Sequence, residues 1–195
     1  MANLAHFIEH WIGPFWLVLW IVWWLAALTS KRSIQQQTSG SRMLQSGLFL
    51  IAMLLIFNIG DFFTRGWLVR RVIPHTVPWI LTGAALTLLG VLIALWARSI
   101  LGSNWSGRVT IKQNHELIVR GPYTFVRHPI YTGLLLGMLG TSLVYGLARC
   151  FVGLLVCLLG LWLKSQTEEQ FMVQQFGHRY LEYRSRVRAL VPFLL

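Results

Sequence analysis

The chain has 195 residues, 55% hydrophobic and 12% charged, whereas a soluble globular domain usually carries about 25% charged residues. That deficit excludes an ordinary soluble domain, and at ~20 residues per spanning helix a membrane bundle uses most of the length. The formal charge of +11 is scattered between apolar runs rather than gathered on one solvated face, which excludes nucleic acid as a partner and suits basic loops against anionic lipid headgroups.

The first apolar run covers residues 11–29 and carries Trp11, Trp16, Trp20, Trp23 and Trp24, the outermost of them suited to the membrane interface. Pro14 lies near its start, where a helix's first turn tolerates proline. The stretch before it has no Lys or Arg and holds Glu9, so the run reads as a retained helix and not as a cleavable signal. A polar stretch from Lys31 to Arg42 leads to the second run, 43–63, interrupted by Asn58 and Asp61. Asp61, beside Arg65, reads as a paired group snorkelling at a helix end.

The third run covers 77–100, with Gly83 and Gly90 on one face for close helix packing. The long polar stretch from Gly102 to His128 follows. The fourth run, 129–147, and the fifth, 150–163, are joined by a turn at Gly146 to Arg149 and predict a tight hairpin. Gly133, Gly137 and Gly140 are expected to face Gly153 and Gly160 across it. The fifth run is short for a full span, so its helix is expected to continue past Lys164 to Phe176, with Gly177 as cap. Cys150 and Cys157 lie seven residues apart, too far for a disulfide, and read as small core residues. No Cys/His cluster has zinc spacing, so no metal is expected.

Five spans with the N-terminus outside would put Lys31, Arg32, Arg42, Arg98, Arg108, Lys112, Arg120, Arg127, Lys164, Arg179, Arg184, Arg186 and Arg188 in the cytoplasm. Only Arg65, Arg70, Arg71 and Arg149 would lie outside, the asymmetry that cytoplasmic loops require. The expectation is a single all-α integral membrane domain over 1–195, about five transmembrane helices, with a site built from 102–133 and 164–193.

Two polar segments then share the cytoplasmic side: Gly121-Pro122-Tyr123 leading into Arg127-His128-Pro129-Ile130-Tyr131-Thr132-Gly133, and Glu168-Glu169. A hairpin of helices four and five brings the start of one beside the end of the other, so His128 and Glu168 should be neighbours. Pro129 suits the first helical position and leaves His128 as cap. Unpaired backbone donors at that helix start would attract a ligand carboxylate, and Glu168 an ammonium, together matching a zwitterionic amino acid moiety.

The ordered set Leu101-Gly102-Ser103-Asn104-Trp105-Ser106, His115-Glu116-Leu117-Ile118, Gly121-Pro122-Tyr123, Arg-His-Pro-x-Tyr-x-Gly at 127–133, Glu168-Glu169, Phe176-Gly177, Tyr180-Leu181-Glu182-Tyr183 and Pro192 resembles the isoprenylcysteine carboxyl methyltransferase family, which looks related to the membrane phospholipid methyltransferases. The resemblance implies that His115, Glu116, Leu117, Ile118, Tyr123, His128, Pro129, Ile130 and Tyr131 line an S-adenosylmethionine pocket, with Glu168 on the cofactor's polar end. In members that methylate a lipidated cysteine, an Arg one helical turn before that Glu faces the acceptor carboxylate. Here Lys164 stands there, keeping the charge without the two-pronged geometry. Lys164 and Arg127 are the acceptor-side candidates.

The activity so implied is methyl transfer to a lipid-borne or hydrophobic small acceptor. Methyl transfer from a sulfonium needs in-line approach and positioning, with no covalent enzyme intermediate. A carboxylate acceptor is already ionised at neutral pH; an amine must first lose a proton, for which His128 and Glu169 are the candidate bases. The rival readings are a phospholipid amine N-methyltransferase, an NADPH-dependent membrane reductase, and a non-catalytic lipid-binding membrane protein.

Overall fold

In the computed structural model, residues 2–27, 33–36, 38–102, 110–112 and 116–190 are described. Helices dominate: α1 (Ala2–Ala27), α2 (Ser39–Phe57), α3 (Val77–Leu101), α4 (Pro129–Tyr145), α5 (Ala148–Phe176) and the short α6 (His178–Arg186). Four segments are long and apolar enough to cross a membrane, namely His6–Leu25 within α1, α2, α3 and α5, while α4 is apolar but has 17 residues. Leu17, Ile21, Trp24, Leu50, Leu88, Leu92, Trp96, Leu155 and Trp162 are exposed on the bundle's exterior, an arrangement that only a lipid solvent makes favourable. The chain is an all-α integral, multi-pass membrane protein.

Helix boundaries depart from the apolar runs where polar residues extend or end the helical hydrogen bonding. Helix α1 begins well before Trp11, so Pro14 lies inside it and not in its first turn; the missing N–H is tolerated where neighbouring helices pack around the chain. Helix α2 starts at Ser39 and stops at Phe57, because Asn58 adopts a left-handed conformation (φ 50°). Asp61 therefore lies in a turn beyond the helix, where Asn58 Nδ2 donates to its Oδ1 at 3.1 Å, and its neighbour there is Asn58 instead of Arg65. As expected, α5 continues through Lys164 to Phe176 and ends at Gly177 (φ 53°).

The glycines pair differently from the hairpin expectation. Helix α4 packs most extensively on α3, and α5 on α2, with less contact between α4 and α5. A methyl group at Gly90 would overlap the backbone of Gly133 and Gly137, and one at Gly83 would stand 2.6 Å from the Gly140 carbonyl. Gly153 instead meets Ala52 and Ile56 of α2, and Gly160 meets Leu48. Adjacency in sequence predicted the wrong partner because each helix buries the face whose small residues match a third helix. Trp16 of α1 closes over this seam, donating from Nε1 to Thr141 Oγ1 at 2.9 Å.

Two ends of the bundle are defined by contacts between connections. At one, Val72 N donates to the Gly146 carbonyl at 2.8 Å and Ala148 N to that of Arg70 at 2.9 Å. Arg71 caps α4 through the Tyr145 carbonyl at 3.0 Å, and Arg149 caps α2 through the carbonyls of Leu55 and Ile56 at 2.6 and 2.8 Å. These arginines satisfy carbonyls that a helix C-terminus leaves without donors. At the other end lies a short ribbon that the sequence reading lacked: β1 (Ser33–Gln36) pairs antiparallel with β2 (Thr110–Lys112), Gln36 opposite Thr110, with an irregularity between Ser33 and Gln35. It ties the α1–α2 connection to the α3–α4 connection, so successive helices run in alternating directions.

Candidate functional site

At the ribbon end, the polar continuation of α5 passes the start of α4. Pro129 opens α4 and leaves His128 just outside it, with φ −123° and ψ 60°; its side chain makes no capping bond. The imidazole turns instead to the two glutamates: Nδ1 lies 3.4 Å from Glu168 Oε2 and Nε2 3.3 Å from Glu169 Oε1. The ring stacks on Tyr131, centroids 5.4 Å apart and planes within 5°. Tyr131 Oη donates to Glu168 Oε1 at 2.5 Å. These contacts follow from helical spacing, since positions 128 and 131 lie three apart at the start of α4, on one face.

Glu169 is 2% exposed and anchors the arrangement. Its Oε1 receives Arg127 Nε at 2.8 Å and Nη2 at 2.6 Å, besides His128. Arg184 Nε stands 3.2 Å from Oε2, close enough for charge attraction, although that oxygen receives no aligned hydrogen bond among the described residues. A single buried carboxylate thus organises three cationic side chains, the circumstance in which burying charge is sustainable.

Burial pushes the His128 pKa down, but its hydrogen bonds to Glu168 and Glu169 and their charges outweigh that, and the net direction is above the ordinary value of 6.5. A carboxylate stands at each ring nitrogen, an environment that favours the protonated imidazole. The folded-state pKa exceeds the unfolded one, so this stabilisation is complete below pH 6.5 and is lost as pH rises through the folded value. The thermal midpoint of the detergent-solubilised protein should therefore fall as pH rises above 6.5, and His128→Gln should flatten that dependence. Parallel pH profiles for the two proteins would refute the assignment.

A cavity opens beside this cluster. Of the residues singled out in the sequence, Glu116, Leu117, Ile118, Tyr123, Arg127, His128, Ile130, Tyr131 and Glu168 line it. Pro129 is buried behind the lining, and Glu169 sits in the layer behind His128. Lys164 does not line the cavity; it is half-buried, with its Nζ 5.4 Å from the ring centroid of Tyr131, which does. His115 lies outside the described residues, as does Pro192. Leu101, Met172, Tyr180 and Tyr183 complete the wall without having been assigned a role. Met172 is one helical turn beyond Glu168, and Tyr180 and Tyr183 share a face of α6, signals that helical periodicity could have supplied. Tyr183 Oη donates to the Tyr123 carbonyl at 2.6 Å. Burial, with the Glu168 charge adding to it, pushes the Tyr123 phenol well up and keeps it protonated at neutral pH.

The backbone donors around the start of α4 are partly taken. Just before the helix, Arg127 N donates to the Arg188 carbonyl at 2.7 Å and His128 N to that of Ala189 at 3.0 Å, so residues 187–190 run past it as a strap; within the first turn, Tyr131 N and Thr132 N donate to the His128 carbonyl at 3.0 and 3.1 Å. Among the described residues, no three or more His, Cys, Asp or Glu side chains form a metal-binding group.

The sequence model described as phospholipid methyltransferase matches residues 79–179. The chain is 36% identical over 99 residues to the protein-S-isoprenylcysteine O-methyltransferase of Schizosaccharomyces pombe, covering 48% of this chain and 41% of that one. It is 30% identical over 125 residues to the Homo sapiens protein of the same name, covering 60% and 43%. It thus spans less than half the length of these curated relatives. The structure of the eukaryotic intramembrane Ras methyltransferase, isoprenylcysteine carboxyl methyltransferase, superposes with a TM-score of 0.52 at 19% identity, covering 82% of this chain and 55% of that one. At that identity the likeness concerns the fold.

Proposed function

The chain belongs to the phospholipid methyltransferase family, and from that premise we propose that it is an integral membrane S-adenosylmethionine-dependent methyltransferase acting on a lipid-borne or hydrophobic acceptor that presents a carboxylate. The observation that carries this reading is the cavity at the ribbon end of the bundle, where Glu168, His128 and Tyr131 form one hydrogen-bonded polar wall facing apolar and aromatic residues.

The donor set fits S-adenosylmethionine. Glu168, about one-fifth exposed, offers a carboxylate to an ammonium. Tyr123, Tyr131, Tyr180 and Tyr183 offer aromatic surface to a sulfonium or a purine, and Leu101, Leu117, Ile118 and Met172 offer apolar surface to the ring. When bound, this cofactor supplies an electrophilic methyl group on sulfur. The protein's part is to hold both partners in line and exclude water, which by itself lowers a bimolecular barrier by several kcal/mol (about 7–11 in the best-oriented cases).

The two candidate bases are already engaged. His128 faces a carboxylate at each nitrogen, and Glu169 is held by Arg127. A site without a free base suits an acceptor that needs no deprotonation, which favours a carboxylate over an amine. Lys164, one turn before Glu168, places a cation beside Tyr131 of the cavity wall and is the candidate partner for such an acceptor.

In this reading five helices span the bilayer with the N-terminus outside and the site in the cytoplasm, supported by the two-ended grouping of the connections and the basic residues at the ribbon end. Membranes incubated with methyl-labelled S-adenosylmethionine should yield a lipid-soluble product whose label mild base releases, as from a methyl ester. Base-stable label in lipid would identify N-methylation instead. Purified protein that binds NADPH and not S-adenosylmethionine would refute both.

A further inference from the structure

The strap 187–190 joins the site in a way that the signature residues do not account for. Its carbonyls receive four donations from the start of α4. Two come from the consecutive backbone N–H groups of Arg127 and His128, to Arg188 at 2.7 Å and Ala189 at 3.0 Å. A third comes from the Arg127 guanidinium to the Val187 carbonyl, and the same Nη1 also reaches the Arg184 carbonyl at 3.2 Å. The fourth is Thr132 Oγ1 to the Leu190 carbonyl at 2.5 Å. Leu190 is buried in the core, which fixes the strap's far end.

Thr132 is the unspecified position between Tyr131 and Gly133 and does not line the cavity. Its hydroxyl has one proton and two carbonyls within reach, Leu190 at 2.5 Å and its own helix's His128 at 3.2 Å. The shorter approach gives the proton to the strap. The strap residues Arg188 and Ala189 in turn carry the backbone of Arg127 and His128, two adjacent residues of the cavity wall.

We propose that Thr132 is a positioning residue for the methyl-donor side of the site: its hydroxyl latches the strap 187–190 across the start of α4, and the strap sets the backbone of Arg127 and His128 and hence the direction in which His128 meets Glu168. This rests on the methyltransferase reading above. Thr132 does not itself line the cavity and acts through the strap.

The test compares Thr132→Val, which keeps the shape and loses the hydroxyl, with Thr132→Ser, which restores the donor. For each purified full-length protein, S-adenosylmethionine affinity by calorimetry and the KM and kcat of methyl transfer are measured. Thr132→Val should raise the KM and Kd for S-adenosylmethionine about five-fold, as expected for one net hydrogen bond, with kcat within two-fold. Thr132→Ser should return both to the parent values. A Thr132→Val protein with unchanged KM and Kd, or an effect that Thr132→Ser does not reverse, overturns the proposal. Deleting residues 189–195 is the second arm and should raise the Kd by more than Thr132→Val does; a deletion that leaves the Kd unchanged also overturns it. If the unmodified protein binds no S-adenosylmethionine, it is the methyltransferase reading that fails, and the latch falls with it.

Discussion

Replacing Glu168 by Gln should weaken S-adenosylmethionine binding by at least about a hundredfold while the protein still folds. Removing one partner of a buried charge pair typically costs ~3–5 kcal/mol, and each tenfold in affinity corresponds to about 1.4 kcal/mol. Glu168 accepts Tyr131 Oη at 2.5 Å and lies 3.4 Å from His128 Nδ1, so the neutral amide would lose the charge that faces the cavity. The fold should survive because Glu169 still holds His128 and Arg127. Calorimetric titration of parent and variant, each checked for a monodisperse elution profile, gives the comparison. A well-folded Glu168→Gln protein that binds within three-fold of the parent would remove Glu168 from the site.

Gly90→Val should act in the opposite manner, lowering the stability of the fold without touching the cavity. Any Cβ there meets the backbone of Gly133 and Gly137, and backbone, unlike a side chain, has no alternative rotamer. The α3–α4 seam would have to separate along its length. Overpacking of a close interface costs ~1–3 kcal/mol, which corresponds to a drop of about 2–12 °C in the thermal midpoint for a protein of this size. Gly47→Ala is the matched control, since a Cβ at Gly47 has nothing within 4 Å. Equal midpoints for Gly90→Val and Gly47→Ala would show that the α3–α4 seam is not as close as described.

Several features were legible in the sequence because they depend on short-range rules. Apolar runs mark helices that only lipid can solvate, and Gly177 after Phe176 ends α5 as a C-terminal glycine does. The proximity of His128 and Glu168 followed from the reversal of direction at Gly146, whatever the detailed packing. Other features were not. The glycines of α4 carry no label saying whether α3 or α5 will meet them, and the strands β1 and β2 are four and three residues long in polar connections with no alternating pattern.

The site divides along the same line. The residue types needed for a zwitterionic, cationic cofactor could be read from Arg127, His128, Tyr131, Glu168 and Glu169 and from their spacing around a pair of helices. The choice of Glu168 over Glu169 came from the family resemblance and not from spacing. Adjacent positions on a helix point about 100° apart, and in the packing of α5 against the start of α4 Glu168 lines the cavity while Glu169 turns to Arg127 and Arg184. The same holds for the start of α4. In isolation the backbone donors there would attract an anion, but the strap from residues 187–190, more than fifty positions away, takes the N–H groups of Arg127 and His128 just before the helix. The sequence by itself determined a bundle of apolar helices with a polar, basic end and the chemistry gathered there. Only the tertiary structure decided which donors and carboxylates remain available, because hydrogen bonds between distant segments consume the same groups that a local reading leaves free.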